Sequence, residues 1–263
     1  MSIEENIKTA AKLIHKSKYI VVFTGAGIST ESGISDFRSP SGLWSRYDPG
    51  EYAEYRAFLN HPEKFWTMHK EMSQTVLEAE PNQAHKSLVK LEKNYGKLKA
   101  IITQNIDFLH SRAGSKNVLE IHGSGYTAVC LDCRQEFHYL DVQRLLDKGQ
   151  IVPRCVKCKG LIKPNVVLFG EPLPYDIVQQ ARDEINTADL LIVIGSSLTV
   201  YPAAALPSMA LNTGARIIII NVEPTMMDHL VDVVIHGKAG EILPKILNEL
   251  EKLDRTSISS NDS

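Results

Sequence analysis

Ile7, Ala10, Ala11 and Ile14 recur at helical spacing, which predicts an amphipathic helix over residues 3–16. The next apolar segment has a different character. Residues 19–24 (YIVVFT) are β-branched and aromatic and run directly into Gly25, the pattern of a buried strand meeting a glycine turn. Similar short runs predict strands at 99–103, 118–120, 166–169, 190–194 and 216–221, with helical patterns between them at 83–94, 175–187 and 203–211. Near-continuous apolar strands that alternate with helices predict an α/β fold, its parallel sheet covered on both faces.

Two stretches break the alternation. Residues 37–84 are rich in aromatics, prolines and charge and read as a helical excursion, whereas residues 126–163 hold all four cysteines. Together they are expected to form a smaller inserted domain. The large domain is then discontinuous, over 1–36, 85–125 and 164–253, and residues 254–263 (DRTSISSNDS) are expected to be a frayed polar tail.

A net charge of −2 gives no bulk attraction to nucleic acid or anionic lipid. The opening MSIEENIKTAAKLIHK is charged and amphipathic, unlike a signal peptide, and the longest apolar runs are too short to span a bilayer. A reducing, cytoplasmic compartment is the expectation, and there cysteines seldom form disulfides.

The cysteines fall into two CxxC pairs, Cys130 with Cys133 and Cys155 with Cys158, separated by 21 residues. Two such knuckles complete a tetrahedral four-thiolate shell for Zn²⁺, with no position left for water or substrate, so the metal would be structural. The competing reading is redox chemistry. A thioredoxin-like site needs one CxxC opening a helix, whereas here two pairs use every cysteine. The separation exceeds the usual ribbon spacing, and a helix over 141–149 would absorb the excess.

Residues 24–38 read TGAGISTESGISDFR. Gly25-Ala26-Gly27 after a strand suits a turn that lets backbone approach a pyrophosphate. The dinucleotide fingerprint, however, wants a third glycine where Thr30 stands and an acidic residue ending a second strand about twenty residues on, where residues 43–48 form no strand. An ordinary dehydrogenase reading is therefore strained. The polar residues that follow, Ser29, Thr30, Ser32, Ser35, Asp36 and Arg38, suit a loop ordered by a polar ligand.

With these blocks in view, the chain resembles the sirtuins. GAGISTESGISDFR resembles their cofactor-binding loop, Gln104-Asn105-Ile106-Asp107 their nicotinamide-pocket motif, and Ile121-His122-Gly123 their catalytic histidine segment. The two CxxC pairs come next. Residues 163–171 (KPNVVLFGE) resemble the peptide-binding segment, and Gly195-Ser196-Ser197 and Asn221-Val222-Glu223 the remaining cofactor contacts. The resemblance implies a Rossmann-like NAD-binding large domain and a small domain made of a zinc module (126–163) and a helical module (37–84). NAD and an acyl-lysine protein or peptide would meet in the cleft between them, with no nucleic-acid or membrane partner.

The implied reaction consumes NAD. The nicotinamide–ribose bond breaks, the acyl oxygen attacks the ribose, and lysine and O-acyl-ADP-ribose result. His122 would be the general base. Asn105 would position ribose and water, and Asp107 would bind the nicotinamide carboxamide. Gly25, Ala26, Gly27, Thr30, Asp36, Phe37, Arg38, Gln104 and Ile106 would line the cofactor site, with Phe37 shielding the reacting face. Ser196, Ser197, Asn221 and Glu223 would hold pyrophosphate and ribose, and Ala239 the adenine.

Val166, Val167, Phe169, Gly170 and Glu171 would pair with the substrate as an added strand. Lys163, Asn165 and Leu168 depart from the common pattern there. Sirtuins that prefer succinyl-lysine carry a Tyr and, three residues later, an Arg. Trp66 and His69 stand in those places here, which implies a preference for acetyl or longer neutral groups. The other function classes in view are an NAD-dependent oxidoreductase with a zinc ribbon, a non-catalytic ADP-ribose or nucleic-acid binding module, and mono-ADP-ribosyl transfer.

Overall fold

A strand buried on both faces sends alternate side chains into two separate layers, and the runs IVVFT and LLIVI have apolar residues for both. The computed structural model describes residues 2–259. Its strands, in chain order, are β1 (Ile20–Thr24), β2 (Leu98–Thr103), β3 (Val118–Glu120), β4 (Gly123–Cys130), β5 (Glu136–His138), β6 (Ile162–Val166), β7 (Leu190–Ile194), β8 (Arg216–Asn221) and β9 (Val233–His236). Six of them form a parallel sheet in the order β3-β2-β1-β7-β8-β9, and β5-β4-β6 form a small antiparallel sheet. With the small sheet set aside, the parallel order is that of a doubly wound dinucleotide-binding fold. Its strand order reverses between β1 and β7, which opens a crevice at their carboxyl ends.

The helices are α1 (Ile3–Lys16), α2 (Pro49–Tyr52), α3 (Tyr55–Asn60), α4 (Pro62–Glu78), α5 (Gln83–Tyr95), α6 (Leu109–Ala113), α7 (Tyr139–Asp147), α8 (Tyr175–Thr187), α9 (Leu206–Thr213) and α10 (Ala239–Ser259). Local chemistry sets several of their ends. Ser2 and Glu5 form a capping box on α1, Asn82 caps α5, and Gly96 ends α5 in the left-handed conformation. On one face of the sheet Val22, Ile192 and Ile218 pack against α1, α5 and α10; on the other Phe23, Val193 and Ile219 pack against α8 and α9. Each fully buried side chain of this size contributes on the order of 1.5–3 kcal/mol. A third cluster joins Phe58, Phe65 and Trp66 to Ala128, Val142, Ile162 and Leu168, so residues from 37–84 and 126–163 share one core.

The structure corrects the sequence expectations in places. The strand expected at 166–169 lies earlier, at Ile162–Val166, and belongs to the small antiparallel sheet. Beyond it, Phe169 makes only an isolated bridge to Glu54. The tail expected to fray from residue 254 continues α10 through Ser259, with Asp254 2.9 Å from His15 of α1; residues 260–263 lie outside the described part. The helix expected at 203–211 is a 3₁₀ turn, Ala203–Ala205, followed by α9. Strand β9, at the sheet edge, was not anticipated. No helix among the described residues is long and apolar enough to cross a membrane.

Candidate active site and zinc centre

The crevice is built first by backbone. Gly25 N–H donates to the Ile194 carbonyl at 3.0 Å, and Gly27 N–H to the Gly195 carbonyl at 2.9 Å. A Cβ on Gly25 would stand 2.7 Å from the Gly195 oxygen, and one on Gly27 2.8 Å from Gly195 Cα. The ends of β1 and β7 therefore touch, and only glycine allows it.

Polar side chains converge on this crossing. Ser29, 1 % exposed, donates to an Asp107 carboxylate oxygen at 2.6 Å and accepts from the Asn105 amide at 3.2 Å. The other Asp107 oxygen accepts from Leu109 N–H at 2.9 Å, so the residue also shapes the turn into α6. Burial pushes the Asp107 carboxyl above its ordinary range, against the opposing pull of its hydrogen bonds to Ser29, Leu109 and Asn105. Below this cluster Thr24 donates to Thr103, whose hydroxyl accepts from Asn105 N–H at 3.1 Å. Gln104 donates to Ser196 at 2.8 Å, which ties the end of β2 to the end of β7 across β1.

His122 is half-buried at the entrance to β4, with Nδ1 3.0 Å from the Gln104 carbonyl. That acceptor assigns the proton to Nδ1 and leaves Nε2 with a lone pair. Burial lowers its affinity for a second proton; the Gln104 hydrogen bond opposes this, and the nearby Arg38 charge reinforces it. Asp36 accepts from the N–H groups of Arg38 and Ser39, at 3.0 and 2.8 Å, and Phe37 packs on Trp44 with ring centroids 5.4 Å apart. Thr30 is spent locally, donating to the Gly27 carbonyl at 3.0 Å.

The expected contacts at β8 and α10 lie along the same rim. Asn221 donates to the Glu223 carbonyl at 2.7 Å, Glu223 is exposed, and Ser197 meets Thr199 at 2.8 Å. Ala239 opens α10, where Glu31 of the glycine loop accepts from Gly240 N–H at 2.7 Å. Ile106 accepts from Gly125 N–H at 3.3 Å.

In the segment expected to take a peptide, Val166 ends β6, Val167 N–H donates to the His122 carbonyl at 2.8 Å, and Phe169 exchanges backbone bonds with Ala53 and Tyr55. Gly170 turns the chain with φ of +86°. Glu171 accepts from Leu168 N–H and from the buried Lys163 ammonium, both at 2.9 Å. The segment is thus a braced turn that runs past His122. Ser29, Glu31 and Lys163 were not singled out as site residues. Ser29 was visible as the small polar residue closing GAGIS; Lys163 gives no sequence signal of burial.

The four cysteine sulfurs lie within 4.8 Å of one another, with Cys130–Cys158 at 3.4 Å and Cys133–Cys155 at 3.7 Å. A tetrahedral ZnS₄ centre has sulfurs ~3.8 Å apart, from Zn–S bonds of ~2.3 Å. These separations suit one zinc ion and are too long for disulfides.

Comparison with known proteins agrees with this geometry. The Sir2 family model matches residues 25–202. An NAD-dependent protein deacylase 2 of Archaeoglobus fulgidus is 51% identical over 251 residues, 95% of this chain and 98% of that one. A Sir2 structure with a deacetylated p53 peptide and 3′-O-acetyl ADP-ribose superposes with a TM-score of 0.88 at 40% identity, covering 92% of this chain and 98% of that one. The structure of Sir2Af2 bound to a myristoylated histone peptide gives 0.82 at 45% identity, covering 96% and 99%. By the reach of the family model and the identity to full-length relatives, the chain belongs to the Sir2 family.

Proposed function

We propose that His122 is the general base of an NAD-dependent protein-lysine deacylase whose acyl acceptor is ADP-ribose. The observation that carries this is the meeting of His122, fixed by Gln104, with the buried Ser29–Asn105–Asp107 cluster at the crevice between β1 and β7.

NAD supplies an electrophilic ribose carbon once its nicotinamide bond breaks; the protein's task is to hold, shield and deprotonate. A neutral His122 with Nε2 free can take a proton from a ribose hydroxyl. Asn105, its amide engaged by Ser29, keeps its oxygen in one place for a hydroxyl or water. The Asp107 carboxyl, fixed from both sides, suits a carboxamide. Phe37, packed on Trp44, would close the reacting face to water. Ser196, Ser197, Asn221 and Glu223 line the rim where a pyrophosphate and a ribose would lie, and Ala239 would meet the adenine.

The peptide is assigned to Val166, Val167, Phe169, Gly170 and Glu171, beside the His122 carbonyl. The division into 1–36, 85–125 and 164–253 against 37–84 and 126–163 is part of this reading; the third core cluster draws mostly on the latter ranges, joined by Ile106, Val166 and Leu168 of the large domain. A cytoplasmic setting, where thiolates stay reduced for zinc, belongs to the same reading, as does the absence of a nucleic-acid partner.

Mass spectrometry of products from NAD and an acetyl-lysine peptide tests it. The expected products are nicotinamide, free-lysine peptide and O-acetyl-ADP-ribose. His122→Ala should lower turnover at least ~10²-fold while NAD still binds. NADH formation, or near-normal turnover by the variant, would overturn the assignment.

A further inference from the structure

Both chain neighbours of Asp107 are held by one strand of the small sheet. The Ile106 carbonyl accepts from Gly125 N–H at 3.3 Å, and the Phe108 ring packs on that of Tyr126 with centroids 4.3 Å apart. Gly125 and Tyr126 are consecutive residues of β4. A Cβ on Gly125 would stand 2.9 Å from the Ile106 oxygen, so glycine lets the strand come this close.

The grip works against a conformational preference. Phe108 sits in the left-handed region, with φ of 62° and ψ of 11°, which a bulky L-residue leaves unless its surroundings hold it there. Released, its backbone would turn and carry the adjoining Asp107 with it. The Asp107 carboxyl is placed finely: one oxygen accepts from Ser29 at 2.6 Å, the other from Leu109 N–H at 2.9 Å. Leu109 directly follows Phe108, so the second of these bonds depends on the Phe108 backbone.

The ring that holds Phe108 is itself braced. Tyr126 packs on Tyr139, the first residue of α7, with centroids 4.8 Å apart. β4 pairs with β5 and β6 and ends at Cys130. Phe108, Tyr126 and Tyr139 thus form a row of partly buried rings from the crevice loop into the zinc module.

We infer that Phe108 and Tyr126 are positioning residues: their stack fixes the turn that aims Asp107, and through it the small domain sets the affinity for the nicotinamide group. This rests on the role proposed above for Asp107 at the carboxamide. ADP-ribose, which lacks that group, should be indifferent to the stack. A stack that served packing alone would weaken both ligands together when broken.

Two measurements on the zinc-loaded protein separate these cases: the inhibition constant of nicotinamide as a product of deacylation, and the Kd of ADP-ribose by calorimetry. Tyr126→Leu removes the ring and keeps apolar bulk. It should raise the nicotinamide constant by ~3- to 10-fold, the range that one lost ring stack supplies. The Kd of ADP-ribose should stay within ~2-fold of the wild type. Tyr126→Phe keeps the ring and should retain the wild-type nicotinamide constant. Phe108→Leu breaks the same stack from the other side, should match Tyr126→Leu, and carries the test if that variant does not fold. An unchanged nicotinamide constant in the leucine variants, or an equal loss of ADP-ribose, would overturn the inference. Asp107→Asn separates it from its premise. A weakened nicotinamide in Asp107→Asn but not in the leucine variants leaves Asp107 its role and removes that of the stack; no weakening in Asp107→Asn removes both.

Discussion

At the scale of single residues, the least comfortable position is Phe108. It follows Asp107 directly, caps the start of α6 and sits in the left-handed region with φ of 62° and ψ of 11°. A bulky L-residue there costs ~1–2 kcal/mol. Its ring lies 4.3 Å from that of Tyr126, at an angle of 30°, so a strand of the small sheet holds the loop that carries Asn105 and Asp107. Such a stack is worth ~0.5–1.5 kcal/mol beyond its buried area. Phe108→Ala keeps the strain and loses the stack, whereas Phe108→Gly loses the stack and relieves the strain. The glycine variant should therefore be the more stable of the two by ~1 kcal/mol in urea unfolding. Equal midpoints, or a more stable alanine variant, would show that the backbone is not strained. Residues of this kind explain what the sequence kept hidden. The roles proposed for His122, Asn105 and Asp107 rest on short local motifs, which a sequence displays directly. Phe108 and Lys163 act through partners outside their own elements, Tyr126 and Glu171, which no local pattern announces.

Among the elements, apolar runs located the central strands closely, since β7 and β8 are buried on both faces and bounded by polar residues. The same rule misplaced β6. The segment IKPNV contains Lys, Pro and Asn, yet it pairs with β4, and its lysine is buried only because Glu171 and two carbonyls receive the ammonium. The apolar VVLF beyond it was the more attractive strand by composition but turns away to bond Ala53, Tyr55 and His122. In α10 the polar ending hid the spacing of Ile246, Leu247, Leu250 and Leu253, which keeps the helix against the core. The zinc knuckles were fully legible, because ligand identity and spacing are local. β4 links them to the site, running from Gly123, next to His122, to Cys130. Elemental analysis should find one zinc per chain. Cys155→Ala should unfold the small sheet, because structural zinc contributes ~10–16 kcal/mol to such modules at neutral pH. Activity should be lost with it, while the helix and strand signal of the parallel domain largely persists in circular dichroism. Active, well-folded protein without zinc would defeat the structural role.

For the whole molecule, alternation of strand and helix was enough to reach the doubly wound sheet, but not the buried histidines that shape its response to acid. His85 and His110 lie 4.9 Å apart, ring to ring, beneath the crevice, and His69 is enclosed by the small domain. Burial pushes His69 and His85 down to about 4 and holds His110 well below its ordinary range, the last helped by the neighbouring His85. The unfolded chain takes up these protons near pH 6.5, whereas the folded protein refuses those of His69 and His85 until about pH 4. In that window the unfolded state binds more protons, so stability falls as pH falls. Between pH 7 and 5 this amounts to about 2 kcal/mol for each of His69 and His85. Glu120 and Asp107 act in the opposite sense. Burial raises the Asp107 carboxyl and raises that of Glu120 to about 7, so the folded state gains these protons first on acidification. Glu120 is only partly buried, and solvent screening weakens its contribution. Three histidines outweigh the two carboxyls. Urea unfolding with zinc in excess should therefore show a net loss of at least ~2 kcal/mol from pH 7 to pH 5. Both ring nitrogens of His85 lack partners, so His85→Leu sacrifices no hydrogen bond and should recover about 2 kcal/mol of the acid loss. A variant with the same pH dependence as the wild type would mean that His85 is already protonated in the folded protein.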